Sequence, residues 1–92
     1  MIKSFEHKGL EDFFYSGSKK GIRPEHADKI SRILDRLDAS NDIMDMSYPG
    51  SYLHKLSGNL EDQFSVRVFG NWRIIFKFID GDAYVVNYED YH

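Results

Sequence analysis

"FSVRVFGNWRIIFKFI", residues 64–79, alternates apolar and polar side chains on both sides of Phe69-Gly70-Asn71. Period-two alternation is the pattern of a strand with one buried face, and the Gly-Asn pair marks a hairpin turn. The register of that hairpin decides the fold. With a two-residue loop, Gly70-Asn71, Phe69 stands opposite Trp72, and Arg67 joins the side bearing Trp72, Ile74 and Phe76. With a three-residue loop, Phe69-Gly70-Asn71, Val68 pairs with Trp72 and Arg67 with Arg73. Phe64, Val66, Val68, Trp72, Ile74, Phe76 and Phe78 then share one apolar face. A slip of one residue exchanges the faces, so the apolar pattern selects the three-residue loop. Asn71, at its third position, tolerates the left-handed backbone that such loops use.

Working outward, Asp80-Gly81 is a two-residue hairpin signal leading into a further strand, "AYVVNYEDY". Pairing Ile79 with Asp82 adds Ala83 and Val85 to the apolar face. The other face then carries Arg67, Arg73, Ile75, Lys77, Tyr84, Val86 and Tyr88. Before the hairpin, "YLHKL" (52–56) reads as a strand and "SGNLED" as a loop. The first half of the chain is helical. "IKSF" (2–5) is a short strand, and Leu10, Phe13 and Phe14 give a helix from His7 to about Ser16. Pro24 suits the first turn of a second helix, where its missing N–H has no intrahelical partner. Ala27, Ile30, Leu34 and Leu37 form the apolar stripe of that helix, flanked by Ile33. Asp28, Lys29, Arg32, Asp35 and Arg36 read as its solvated face. Residues 43–52 are irregular, with Met44, Met46 and Tyr48 expected to cover the core. This is an α+β reading: two N-terminal helices packed on a mainly antiparallel sheet, as a single domain over residues 1–92.

At 92 residues, 41% hydrophobic and 15% aromatic, the chain can bury one core and is not disordered in composition. It has no cysteine, which excludes disulfides and thiolate metal sites. The opening residues carry no apolar h-region, and no stretch approaches membrane-spanning length, so a soluble cytoplasmic protein is expected. A net charge of −3 argues against tight binding of free nucleic acid. The charge is uneven, however. Residues 1–23 hold Lys3, Lys8, Lys19, Lys20 and Arg23 against Glu6, Glu11 and Asp12, while residues 78–92 hold carboxylates and no Lys or Arg.

Two guanidinium groups facing one another across a hairpin repel by up to about 1 kcal/mol. An anion between Arg67 and Arg73 makes the arrangement easier to retain. A carboxylate of the chain itself, Asp90 or Glu89, is one source, and an external phosphate is the other; arginine's planar fork suits both. Asp90, Tyr91 and His92 follow the last strand, beside the strand of Arg73. Histidine, with an ordinary pKa near 6.5, suits proton transfer around neutrality. Cleaving RNA by its own 2′-hydroxyl needs a base, a group to stabilise the charged phosphorane, and an acid for the leaving oxygen. Arginine, tyrosine and histidine on one patch supply these. The four histidines, at 7, 26, 54 and 92, lack zinc-site spacing, and His7 and His26, near helix starts, read as surface residues. No phosphate loop, dinucleotide fingerprint or nucleophile elbow is present, so no metal or cofactor is expected.

Four segments carry a family resemblance: "MIKSFEHKGLEDFF", "LHKLSGN", "FSVRVFGNWRIIFKF" and "GDAYVVNYEDYH". Over its whole length the chain resembles the HigB-type toxins of the RelE superfamily. The resemblance implies a microbial-ribonuclease-like α+β fold and cutting of messenger RNA in the decoding site of a translating ribosome. It implies a HigA-type helix-turn-helix antitoxin as partner, with operator DNA met only through that antitoxin. It implies that Arg73 holds the scissile phosphate, His92 acts as acid or base, and Tyr91 stacks or relays a proton. Asn71 and Asp90 would shape the site, with Arg67 a basic member of the same patch and His54 and Lys55 further substrate-binding candidates. One position departs from the pattern: Ser57 stands where many relatives carry lysine. Two rival readings stand beside it, a gyrase-directed binding inhibitor of the ParE kind and a module that chiefly tunes its antitoxin.

Overall fold

The computed structural model describes residues 1–56 and 62–90. Its sheet has the order β1 (His54–Lys55), β2 (Gln63–Phe69), β3 (Trp72–Ile79) and β4 (Asp82–Asp90), all neighbours antiparallel. Helices α1 (Lys8–Ser16) and α2 (Ala27–Ala39) precede it, as the α+β reading requires. No helix among the described residues is long and apolar enough to cross a membrane.

The decisive hairpin combines features of both registers. Arg67 pairs with Arg73, yet Phe69 pairs with Trp72, so the turn is Gly70-Asn71 and the three-residue loop is not formed. The register shift between Arg67 and Phe69 makes Val68 the extra residue of a β-bulge. A bulge re-aims side chains locally, which is how the apolar face survives a two-residue turn. Val66, Val68 and Ile74 are fully buried, while Phe69 is 64% exposed. Phe64, Trp72 and Phe78 pack against the same core from its margin.

A second bulge corrects the reading of β4. Pairing runs as expected through Ile79–Asp82, Phe78–Ala83 and Lys77–Tyr84, then shifts, so that Ile75 meets Asn87 and Ile74 meets Tyr88. Val85 and Val86 together oppose Phe76. Val85, expected on the apolar face, is instead exposed with φ 47°, while Val86 and Tyr88 are buried rather than outward. The cause lies in the N-terminal segment. The short first strand is reduced to bridges, parallel to β4, at Ile2–Ala83 and Phe5–Val86. Ser4 accepts both bulge donors, Val85 N–H on Oγ at 2.9 Å and Val86 N–H on its carbonyl at 3.1 Å. Alternation within β4 carries no trace of that neighbour.

Helix α1 begins at His7, whose Nδ1 accepts the Leu10 N–H at 3.0 Å, and ends at Gly17, φ 78°. Leu10 is fully buried, and Phe13 and Phe14 pack beside it. A Cβ added to Gly9 would lie 2.6 Å from the Gly21 backbone, so glycine permits α1 to touch the turn that leads to α2. Pro24–His26 forms a 3₁₀ turn before α2, which buries Ala27, Ile30, Ile33, Leu34 and Leu37 on the sheet. His26 is not a surface residue; it is 5% exposed, wedged between that turn and Tyr88. Within the 3₁₀ turn Ile43–Met46, Met46 is fully buried but Met44 is 65% exposed, contrary to expectation. At three residues per turn, positions two apart lie on different sides.

Candidate functional site

The sheet face that the helices leave open carries the charged residues. Across its three longest strands, Arg67, Arg73 and Glu89 stand in one row, because Arg67 pairs with Arg73 and Arg73 with Glu89. The next row is Ser65, Ile75 and Asn87, with His54 pairing Ser65 at the edge. The guanidinium of Arg73 is held in place: Nε donates to Ser65 Oγ at 2.8 Å and Nη2 to the Tyr52 carbonyl at 2.6 Å. Tyr52 adopts φ 47°, a region aromatic residues rarely occupy, and thereby presents that carbonyl. Its ring lies under Arg67, with Cζ 5.4 Å from the ring centroid. The Arg67 N–H donates to the Ser51 carbonyl at 2.8 Å and pins the loop to β2. Tyr52 thus separates the two cations, giving its ring to one and its carbonyl to the other.

Tyr52, His54, Leu56, Ser65, Gly70, Asn71 and Arg73 line a groove of about 340 Å³. It gathers three of the expected site residues, His54, Asn71 and Arg73, with Arg67 alongside over Tyr52. Asn71 comes from the β2–β3 turn, where Gly70 takes φ 57°. Lys55 falls on the other side of β1 from His54, since it pairs with Phe64 rather than Ser65. Asp90 pairs with Trp72, so Glu89 is the carboxylate that β4 sets opposite Arg73. Tyr91, His92 and Ser57 lie outside the described residues.

The same face turns acidic beyond Arg73. Asn87 Nδ2 donates to Glu6 Oε2 at 3.1 Å and to Glu89 Oε1 at 3.0 Å. Those three residues line a neighbouring groove of about 390 Å³, together with Gln63, Ile75 and Lys77. An anion entering this face is therefore drawn to the Arg67–Arg73 half and repelled from the Glu6–Glu89 half.

Behind the turn, His26 Nδ1 and the Tyr88 hydroxyl share a 2.7 Å hydrogen bond. The His26 ring stacks on Phe69 at 5.9 Å and meets Trp72 edge-on at 5.7 Å. Burial pushes the His26 pKa below its ordinary value and that of Tyr88 above it. This cluster braces Phe69 and Trp72, the two residues that flank Gly70-Asn71.

Ser65 and Tyr52 had no role at the site in the sequence reading, and Glu89 entered it only beside Asp90 as a counter-charge for the arginines. Ser65 shares strand parity with Arg67, so its place on the face was open to inference from alternation. Tyr52 gave no such signal, because its contribution is a backbone carbonyl turned by a left-handed residue.

Comparison with known proteins agrees over nearly the whole chain. The family described as "RelE-like toxin of type II toxin-antitoxin system HigB" matches residues 3–92. The chain is 45% identical over 92 residues to "Endoribonuclease HigB" of Proteus vulgaris, covering all of both chains. It is 33% identical over 85 residues to "Toxin HigB-1" of Vibrio cholerae serotype O1, covering 90% of each.

Proposed function

We propose, from the premise that this chain belongs to the RelE-like HigB toxins of type II toxin–antitoxin systems, that it is an endoribonuclease cutting messenger RNA on the translating ribosome. The observation that carries the reading is Arg73, oriented by Ser65 and Tyr52 toward a groove shared with His54 and Asn71. Preorganised donors of this kind act where negative charge develops, and they need no rearrangement at the moment of reaction. In the proposed reaction the ribose 2′-oxygen attacks the adjacent phosphorus and the bond to the 5′-oxygen breaks. Arg73, with Arg67 beside it, stabilises the charge on the phosphorane. A base takes the 2′-hydroxyl proton and an acid protonates the departing 5′-oxygen.

For that proton transfer we assign His92, with Tyr91 stacking on a base or relaying a proton. Asp90 and Asn71 shape the site, His54 contacts the RNA strand from within the groove, and Lys55, on the other side of the edge strand β1, contacts it around that edge. The covalent chain supports this assignment, since both terminal residues follow directly on Asp90, which pairs with the neighbour of Arg73. We further assign a HigA-type helix-turn-helix antitoxin as partner, with operator DNA bound through it, and the cytoplasm as the place of action. The acidic net charge of −3 fits an enzyme whose RNA is presented by the ribosome, because free RNA would be gripped weakly.

The test is purified protein added to programmed ribosomes, with the cut positions mapped on the message. Codon-phased cuts that vanish in Arg73→Ala are expected. Cuts on free RNA at the same rate, or none with ribosomes, would reject the reading, and a supercoiling assay would then examine the gyrase-directed rival.

A further inference from the structure

Tyr52 stands in left-handed backbone, φ 47°, where glycine or asparagine costs least. Its carbonyl, which accepts from Arg73 Nη2 at 2.6 Å, would be delivered as well by either of those residues. Neither would deliver the aromatic ring, so the ring is the feature that needs a reason. Strained residues of this sort gather where function over-determines the backbone.

That ring takes no part in the apolar core, and Tyr52 is 64% exposed. Tyr15 and Phe69 are as exposed, but each rests on other rings, Tyr15 on Phe5 and Phe14, and Phe69 on His26. Tyr52 makes no ring–ring contact among the described residues. Its ring partner there is the Arg67 guanidinium, Cζ 5.4 Å from the centroid, which covers one face. The groove that Tyr52 lines with His54, Ser65, Asn71 and Arg73 has no carboxylate in its lining. An exposed π-surface beside a phosphate-binding guanidinium suits a nucleotide, whose base stacks on an aromatic face while its phosphate takes the cation. The plainer role, an insulator between two guanidinium groups, needs bulk but no planar ring. Leucine would fill it.

We infer that Tyr52 is a substrate-binding residue whose ring stacks a nucleobase flanking the phosphate held by Arg73. The inference rests on the nuclease reading of this groove. It adds a contact to a base, where the two arginines meet phosphate alone.

The test uses the full chain on programmed ribosomes whose message carries one abasic nucleotide, moved position by position across the cut. Tyr52→Leu keeps an apolar spacer between the arginines, and Tyr52→Gly suits the left-handed backbone, so a fold lost in the first is kept in the second. On the intact message each variant is expected to cut about 10-fold more slowly than wild type. At one position beside the cut, the abasic nucleotide should slow the wild type by a factor that is lost in both variants. Tyr52→Phe, which keeps the ring, should regain the rate and the abasic penalty together. Variants that cut the intact message at wild-type rate would overturn the inference. Equal abasic penalties in wild type and variants at every position would overturn it too, and would leave the ring as a spacer of the arginines. Should the wild type itself leave the intact message uncut, the nuclease reading fails and this inference falls with it; a wild type that cuts with no penalty depending on Tyr52 sinks the inference alone.

Discussion

On the helix-covered side of the sheet, Val66, Val68, Ile74 and Phe76 are at most 1% exposed, and their neighbours are other apolar side chains. On the open side, Arg67, Arg73 and Tyr52 hold one another through directed contacts of ring, carbonyl and guanidinium. The first region is specified by volume and tolerates any set of side chains that fills it; the second is specified by direction. Backbone strain follows the same division. The left-handed Tyr52 serves Arg73, and the left-handed Val85 sits exposed at the β4 edge, whereas the covered strand residues lie in ordinary extended backbone. A domain of this size separates stability from chemistry by giving each its own face of one sheet.

The sharpest way to break this comparison is to remove function while leaving stability. Arg73→Ala should lower ribosome-dependent cleavage about 10²- to 10³-fold while changing the urea midpoint little. A variant that unfolds, or one that still cuts at wild-type rate, would erase the distinction. Arg73→Lys should recover only part of the rate, since an ammonium cannot reproduce the fork held by Ser65 and Tyr52.

The converse experiment is Leu34→Ala, which opens a void beneath a fully buried side chain. A loss of about 3 kcal/mol in denaturant titration is expected, with cleavage per folded molecule unchanged. Gly9→Ala should come next, at about 2 kcal/mol, because the new methyl meets the Gly21 backbone rather than a side chain able to move. A melt equal to wild type would show that α1 shifts freely.

His26 belongs to both regions, being buried itself yet bracing the turn that carries Asn71. Burial lowers its pKa, so the fold prefers the neutral ring while the unfolded chain takes up a proton near pH 6.5. The stability gained from the neutral ring is therefore complete above that pH and declines on acidification through it. Melts between pH 7.5 and 5, chosen to bracket about 6.5, should show a decline that is reduced in His26→Asn. An equal decline in both would place the acid sensitivity elsewhere. The smallest effect is expected at Val85→Asn. Relief of a β-branched residue in left-handed backbone should raise stability by about 0.5 kcal/mol, with no change in cleavage.

How far the sequence reached varies with the range of the interaction. Period-two alternation placed seven residues of the central hairpin on the covered face, and helical spacing located Leu10 and the stripe from Ala27 to Leu37. It also set Arg67 against Arg73, although by a loop that the structure replaces with a turn and a bulge. Val85, Val86 and Tyr88 were assigned to the wrong faces, because Ser4, about eighty positions away, supplies the acceptors that stabilise the β4 bulge. His26 looked like a helix-start residue on the surface until Tyr88 and Phe69 closed over it.

What the sequence alone determined was whatever depends on the order of neighbouring side chains: two amphipathic helices, an apolar face on the hairpin, a cation pair at its tip, and the family to which those segments belong. Tertiary structure decided where each bulge falls, that Tyr52 turns its carbonyl to Arg73, and that Glu89 rather than Asp90 stands opposite that arginine. The reason is physical. Periodicity is a property of the backbone's own repeat, whereas a bulge, a left-handed residue or a buried histidine exists only when distant groups arrive to satisfy its hydrogen bonds.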